Sequence, residues 1–306
     1  MKEIDVSIIL VNFNTKILTS NAIESIINKT KNINYEIIVI DNNSHDGSVQ
    51  YLIDKFKNEI KIVKLNENIG FGGANNIGIE NAKGEFVFLL NTDTILINNA
   101  VSILYSFIKS NKDVAVCGGN LYDINGNPIH SYAKKIPGFK MVILEPFIMA
   151  INKRRKIQRI YDFNYRNQNI EVGYITGADM MIRKNVLAEV GGFDPEFFMY
   201  FEESELQDRI HKKGFKIYSI PEAKITHLVG MSLSCNTDIE KRRWKTSILI
   251  KSTFLYFEKV YGINTVKYVY AFSQFWNLIF STFKKEYKIN FNITKLEYKK
   301  WREKYK

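Results

Sequence analysis

The sequence predicts an α/β fold: a mostly parallel central sheet flanked by helices, followed by a helical C-terminal extension. Three observations carry that expectation. Over residues 1–120, short near-continuous apolar runs alternate with stretches of helical spacing, the pattern of strands covered on both faces. The ends of four of those strands are unusually polar. Residues 240–306 differ in kind from the rest, holding 16 Lys and Arg against 5 Asp and Glu, together with 17 of the aromatics.

Residues 6–11 read as a buried strand and residues 17–28 as a helix with Ile17, Leu18, Ala22 and Ile26 at helical spacing. Strands at 36–40, 60–65, 85–90 and 114–117 alternate with helices at 49–56, 74–82 and 100–108. Residues 124–172 carry no clean period, and the basic run 153–159 reads as a solvated helix face. Further on come an apolar run at 180–182, an acidic helix start at Glu202-Glu203-Ser204-Glu205, and two strands at 215–220 and 224–227. Two long helices follow, 240–260 and 263–285, separated at Gly262, then a short one at 293–304. The domains expected are 1–239, with parts at about 1–120 and about 170–239, and the extension 240–306.

The 306 residues are 45% hydrophobic and 25% charged, enough for a large core and incompatible with a wholly disordered chain. Cys117 and Cys235 are the whole cysteine complement, which excludes a disulfide framework and a four-cysteine zinc module. The net charge of +11 resides in residues 240–306, because residues 1–239 balance 27 basic against 27 acidic residues. No apolar stretch reaches the ~20 residues of a spanning helix, and residues 6–11 are too short for a secretory signal core. A protein of the cytosol, or one lying on a membrane, is expected.

In parallel sheets ligands bind beyond the carboxyl ends of the strands. There the chain places Asn12-Phe13-Asn14, Asp41-Asn42-Asn43-Ser44, Asn68-Ile69-Gly70-Phe71-Gly72-Gly73 and Asn91-Thr92-Asp93. Each is also ordinary turn chemistry, but four in succession on one sheet edge point to a ligand. The glycine run is a weak dinucleotide signal, since Asn75 stands where a third glycine is wanted. P-loop and nucleophile-elbow patterns are absent. Asp93 follows a buried strand, where one carboxylate with diphosphate oxygens can hold Mg²⁺ or Mn²⁺; it could equally cap the next helix. Glu202 and Glu205 share a helix face, with Glu203 pointing elsewhere. First-turn acids complement a helix dipole, yet these follow the apolar Phe197-Phe198-Met199-Tyr200-Phe201, where a raised pKa and a general base become plausible. His227 ends a strand, as a structural histidine or a ligand.

In order along residues 4–235, these pieces resemble the bacterial family 2 glycosyltransferases, within them the rhamnosyltransferase-like branch. The carrying motifs are the strand ends above together with Asp46-Gly47-Ser48, Gly191-Gly192-Phe193-Asp194, Phe197 to Leu206, and His227. The resemblance implies a glycosyltransferase A fold and an inverting, metal-dependent hexosyltransferase. By the same resemblance, Asp41 reads the N3–H of a uracil or thymine, Val11 and Asn12 line the base and ribose pocket, and Asn68, Gly70 and Asn76 shape the phosphate side. Asn91-Thr92-Asp93 matches the family's D-x-D motif with Asn in first place, so Mg²⁺ or Mn²⁺ rests on Asp93, with His227 as a further contact. Glu203 stands where the family has its catalytic Asp, and Glu202 holds acceptor hydroxyls. The implied partners are a dTDP- or UDP-linked sugar, rhamnose among the candidates, and a glycan or polyprenyl-linked acceptor of surface polysaccharide synthesis.

The basic aromatic extension fits docking on an anionic membrane at the inner face of the plasma membrane, or packing in a homodimer. A nucleotidyltransferase would need a Gly-rich loop with a following basic residue after the first strand, where this chain has Asn12-Phe13-Asn14. A nucleic-acid-binding protein is disfavoured by the neutral body and the lack of any binding module, and no nucleic-acid partner is expected.

Overall fold

The computed structural model describes residues 3–143, 162–228, 239–282 and 285–305. Cys235, the Gly230-Met231-Ser232 loop and the basic run 153–159 lie outside them.

The first half alternates as the hydrophobic pattern demands. The order is β1 (Val6–Asn12), α1 (Lys16–Lys29), β2 (Tyr35–Asp41), α2 (Ser48–Phe56), β3 (Lys61–Lys64), α3 (Gly70–Asn81), β4 (Phe86–Leu90), β5 (Thr94–Leu96), α4 (Ala100–Ser110) and β6 (Val114–Tyr122). Then come β7 (Tyr132–Ala133), α5 (Phe139–Ile143), β8 (Ile170–Glu171), β9 (Tyr174–Ile175), β10 (Asp179–Arg183), α6 (Lys184–Val190), α7 (Glu202–Lys212) and β11 (Lys216–His227). Three helices close the chain: α8 (Ile239–Tyr261), α9 (Thr265–Ser281) and α10 (Lys285–Glu303).

Among the described residues the main sheet runs β3-β2-β1-β4-β10-β6-β11-β5, with β8 on β11. β3, β2, β1 and β4 are parallel neighbours, as are β6 and β11. β10 runs antiparallel to both β4 and β6 and so joins two parallel blocks, and β5 and β8 run antiparallel to β11. Its apolar run, Met180-Met181-Ile182, gives burial but not direction, which is why the sequence pattern does not reveal the reversal.

Strand side chains alternate between two cores. Ile8, Leu10, Phe86, Phe88 and Leu90 face one, with α1 and α4, and Ile9, Val87 and Leu89 face the other, with Leu206 and Ile210 of α7. On that second face α3 approaches closely: a Cβ on Gly78 would stand 2.4 Å from Ile9 Cγ2, so only glycine fits.

Among the boundaries that differ from the sequence reading, three have a visible cause. α3 begins at Gly70 rather than at 74, because Asn42 and Asn68 hold its first turn. The expected strands 215–220 and 224–227 are one strand, β11, with a register shift between Ser219 and Lys224 around Pro221, which has no N–H for the ladder. The last helix begins at 285 rather than 293, its first half bound by Tyr287 on Phe280 and by the Phe291 carbonyl accepting from Gln274.

The chain divides into two compact units. The first takes in residues 1–136, 161–195 and 206–234, and the second 137–160, 196–205 and 235–306. The first holds the sheet. The second holds α5, the segment 196–205 and the last three helices, packed through aromatic rings such as Phe139 on Phe257, Phe254 on Tyr298, and Tyr270 stacked on Tyr298.

Candidate active site

In the first unit, the carboxyl ends of β1, β2 and β4 meet through one hydrogen-bond network. Asn12, fully buried at the end of β1, is its centre. Its Nδ2 donates to Asp41 Oδ1 at 2.7 Å and to Ser44 Oγ at 2.9 Å. Its Oδ1 accepts from the hydroxyls of Thr15 and Thr19, both at 2.8 Å. Thr15 Oγ1 lies 3.2 Å from Thr92 Oγ1, so bonded side chains run from Asp41 to the residue beside Asp93. Asp41 also accepts the Ser44 N–H at Oδ2, 3.1 Å. A carboxylate has about four lone-pair sites, so each oxygen keeps one for a ligand N–H.

Asn42 is the next hub. It donates to Asn68 Oδ1 at 2.9 Å and to the Gly70 carbonyl at 3.2 Å, and accepts the Ile69 N–H at 3.0 Å. Asn68 Oδ1 takes the Gly70 N–H at 3.0 Å. Asn68 and Gly70 thus shape the first turn of α3. Val11 is half-buried against the second core. Asn76 commits both ends of its amide to Phe193: Nδ2 donates to the carbonyl and Oδ1 accepts the N–H, each at 2.8 Å. A Cβ on Gly192 would stand 2.4 Å from that Oδ1, which explains the glycine. Arg209 fixes the same loop through the carbonyls of Val190 and Gly192, at 2.6 and 2.7 Å.

Beyond β4, Asn91 is half-buried while Thr92 and Asp93 are buried. Antiparallel pairing of β5 with β11 sets His227 opposite Thr94. That register brings His227 Nε2 to 3.2 Å from Asp93 Oδ1. A carboxylate oxygen and an imidazole presented together fit a cation of the Mn²⁺ class that completes its shell with water and diphosphate oxygens. Among the described residues, no cluster of three or more metal-ligating side chains forms.

The acids of α7 belong to the second unit. Glu202 and Glu205 are buried, and Glu203 is half-buried. Burial pushes the Glu202 carboxyl well above the usual range, with the Glu203 charge adding to the rise. Burial also raises Glu203, partly offset by hydrogen bonds from its own N–H and that of Ser204. Glu202 Oε2 has no hydrogen-bond partner among the described residues.

The segment leading to these acids is held by the C-terminal helices. Ser252 Oγ donates to the Met199 carbonyl at 2.7 Å, the Phe201 ring lies 5.0 Å from that of Tyr256, and Phe198 meets Trp244 edge-on. Lys259 and Lys304 bind Glu196 at 2.5 and 2.8 Å and hold its carboxyl down to about 2. Tyr200 and Phe201 both adopt left-handed backbone, φ 73° and 68°, a costly conformation for bulky side chains that persists only where surroundings enforce it. The sequence reading left Asn42, Ser44, Thr15, Thr19, Arg209 and Ser252 without a site role. A signal existed for the first two, which lie in the polar run after β2, and for Thr15, which directly follows the polar run after β1; a single hydroxyl or an arginine within a helix gives none.

The model of the family described as glycosyl transferase family 2 matches residues 7–191, and the chain belongs to that family. It is similar to an N-acetylglucosaminyl-diphospho-decaprenol L-rhamnosyltransferase of Mycobacterium tuberculosis, 24% identical over 62% of this chain and 66% of that protein. It is 34% identical to a poly(ribitol-phosphate) beta-N-acetylglucosaminyltransferase of Staphylococcus aureus, over 37% of this chain and 36% of the other. A cholesterol galactosyltransferase of Borreliella burgdorferi is 24% identical over 98% of this chain and 80% of its own length. The chain thus spans two thirds or less of the first two relatives. Among solved structures, GalNAc-T7 with UDP, GalNAc and Mn²⁺ superposes with a TM-score of 0.60 at 17% identity, covering 84% of this chain and 48% of that one. S. aureus TarS gives 0.55 at 14%, covering 95% and 55%. The fold is of the glycosyltransferase A type.

Proposed function

We propose that the protein is an inverting glycosyltransferase. It moves a hexose, with rhamnose the first candidate, from a dTDP- or UDP-linked donor to a glycan or polyprenyl-linked acceptor in bacterial surface polysaccharide synthesis. The observation that carries the reading is the bonded network from Asp41 through Asn12 and Thr15 to Thr92, beside the Asp93–His227 pair. The names of the rhamnosyl- and poly(ribitol-phosphate) transferase relatives support the sugar chemistry and the class of acceptor.

In this reading Asp41 accepts the N3–H of the pyrimidine, and Asn12 and Ser44 fix its carboxylate for that bond. Val11 and Asn12 wall the base and ribose. Asn68 and Gly70 place the first turn of α3, whose N–H groups beyond Gly70 suit an anionic diphosphate. Asn76 serves that side by anchoring the Gly192-Phe193 loop rather than by a contact of its own. Asp93 and His227 would hold Mg²⁺ or Mn²⁺; such an ion offsets the charge that develops on the departing nucleoside diphosphate.

Glu203 takes the proton of the acceptor hydroxyl as that oxygen attacks the anomeric carbon and the bond to the diphosphate breaks. Burial keeps its proton affinity high enough to accept. Glu202, with a free buried oxygen, accepts a hydrogen bond from an acceptor hydroxyl. One displacement with no covalent intermediate inverts the anomeric centre. A lipid-linked acceptor would bring the enzyme to the cytoplasmic face of the membrane. The test is a panel of nucleotide sugars, read by calorimetric binding and by transfer with Mn²⁺ present. Binding of a dTDP- or UDP-sugar is expected; preference for a purine-linked donor, or binding of none, overturns the reading.

A further inference from the structure

The last two helices carry surfaces that glycosyl transfer does not use. α9 has one charged residue, Lys267, in its 17 residues. Tyr268, Phe275 and Leu278 recur at intervals of seven and three, which sets them on one helix face. All are exposed, Phe275 at 53% and Leu278 at 61%. An apolar row of this kind in water marks an interaction surface.

α10 packs beside α9: Gln274 donates to the Phe291 carbonyl, Asn277 to Thr294, and the Tyr270 and Tyr298 rings stack at 3.9 Å. Its exposed face carries a second row, Lys288, Lys295, Lys299 and Arg302, at intervals of seven, four and three. Lys288, Lys295 and Arg302 have no acidic partner among the described residues. Lys299 has only Glu303, at 4.0 Å. A groove of about 600 Å³ lies beside the last three of these, with Lys295, Lys299 and Arg302 and the single acid Glu303 around Leu296 and the two stacked tyrosines.

We infer that the α9–α10 surface docks the protein on an anionic lipid bilayer, with the α9 row entering the acyl boundary and the α10 cations on headgroup phosphates. Charge selects this occupant. Residues 240–306 hold 16 basic and 5 acidic residues, so a second copy of this chain would set like charges face to face. A nucleic acid would satisfy the cations but leave Phe275 and Leu278 in water. A bilayer with anionic headgroups satisfies both rows. No helix among the described residues is long and apolar enough to cross a membrane, which agrees with docking in the interface plane. The inference does not depend on the transfer reaction, and its test reads partition rather than turnover.

The experiment is co-sedimentation of the full chain with vesicles of phosphatidylcholine alone or with about one third phosphatidylglycerol, a strongly anionic surface. Two variants accompany it: Lys295→Gln with Lys299→Gln and Arg302→Gln, and Phe275→Ser with Leu278→Ser. All five positions are exposed, and thermal melts identical to the parent's establish that the variants fold. The parent is expected on anionic vesicles and not on neutral ones. Removing the three cations should weaken partition about a hundredfold. Removing the two apolar side chains should weaken it at least tenfold. Equal partition to both vesicles, or none to either, overturns the proposal. So does light scattering that shows a dimer split by Phe275→Ser with Leu278→Ser, or binding of a single-stranded RNA oligomer as tight as that of anionic vesicles.

Discussion

The two carboxylates at the centre of the proposed chemistry are held in opposite ways. Asp41 sits at the end of a parallel strand, fixed by side chains within about thirty residues of it, Asn12 and Ser44, and by the register of β1 on β2. Glu203 follows two aromatic residues in left-handed backbone, and that segment is tied to residues roughly fifty to a hundred positions away, Ser252, Tyr256, Lys259 and Lys304. A regular sheet edge positions a group at little conformational cost. An irregular segment needs outside support, which the C-terminal helices supply. The basic extension is therefore part of the support of the acidic segment as well as a surface.

This contrast can be broken by substitution. The largest effect is expected in the first unit. Asn12→Ala removes every bond of the central asparagine and leaves Thr15, Thr19 and Asp41 short of partners. A loss of about 3 kcal/mol in stability, read by urea unfolding, should accompany weakened donor binding. Unchanged stability would show that the network is not a structural unit.

Next comes the acid pair. Because burial raises both carboxyls, the folded chain binds their protons more tightly than the unfolded chain does. Their contribution to stability is present below the ordinary glutamate value of about 4.3 and is lost as pH rises through the raised folded values. Glu202→Gln removes the titration of Glu202, the carboxyl raised further of the two. Thermal melts from about pH 4 to 8 should fall less with pH than the parent's. A fall as steep as the parent's would deny that burial raises this carboxyl.

The smallest effect is expected at the support. Ser252→Ala removes one bond to the Met199 carbonyl, about 1 kcal/mol. It should lower kcat several-fold with donor affinity unchanged, and Ser252→Thr should restore part of the loss. A change in donor affinity with kcat intact would place the segment in donor binding instead.

The sequence showed much of the first unit and little of the second. Strands such as Phe86–Leu90 are legible because they are apolar throughout, and strand-end asparagines because parallel topology collects them on one edge. The direction of β10 is not legible, since burial on both faces is the same for either direction. Nor is the partnership of the 196–205 segment with α8: it depends on single bonds such as Ser252 to Met199, which leave no periodicity. The acids themselves stood out by density, and their family position by resemblance, but what holds them did not.

The division of labour between the donor side of the first unit and the acid of the second is tested most directly by measuring donor binding by calorimetry and single-turnover rate in Asp93→Ala and Glu203→Gln side by side. Asp93→Ala should lose metal-dependent donor affinity. Glu203→Gln should keep it while the rate falls by about 10²–10⁴, the range for a lost general base. The reverse pattern, with donor affinity lost in Glu203→Gln and the rate intact, would contradict the account.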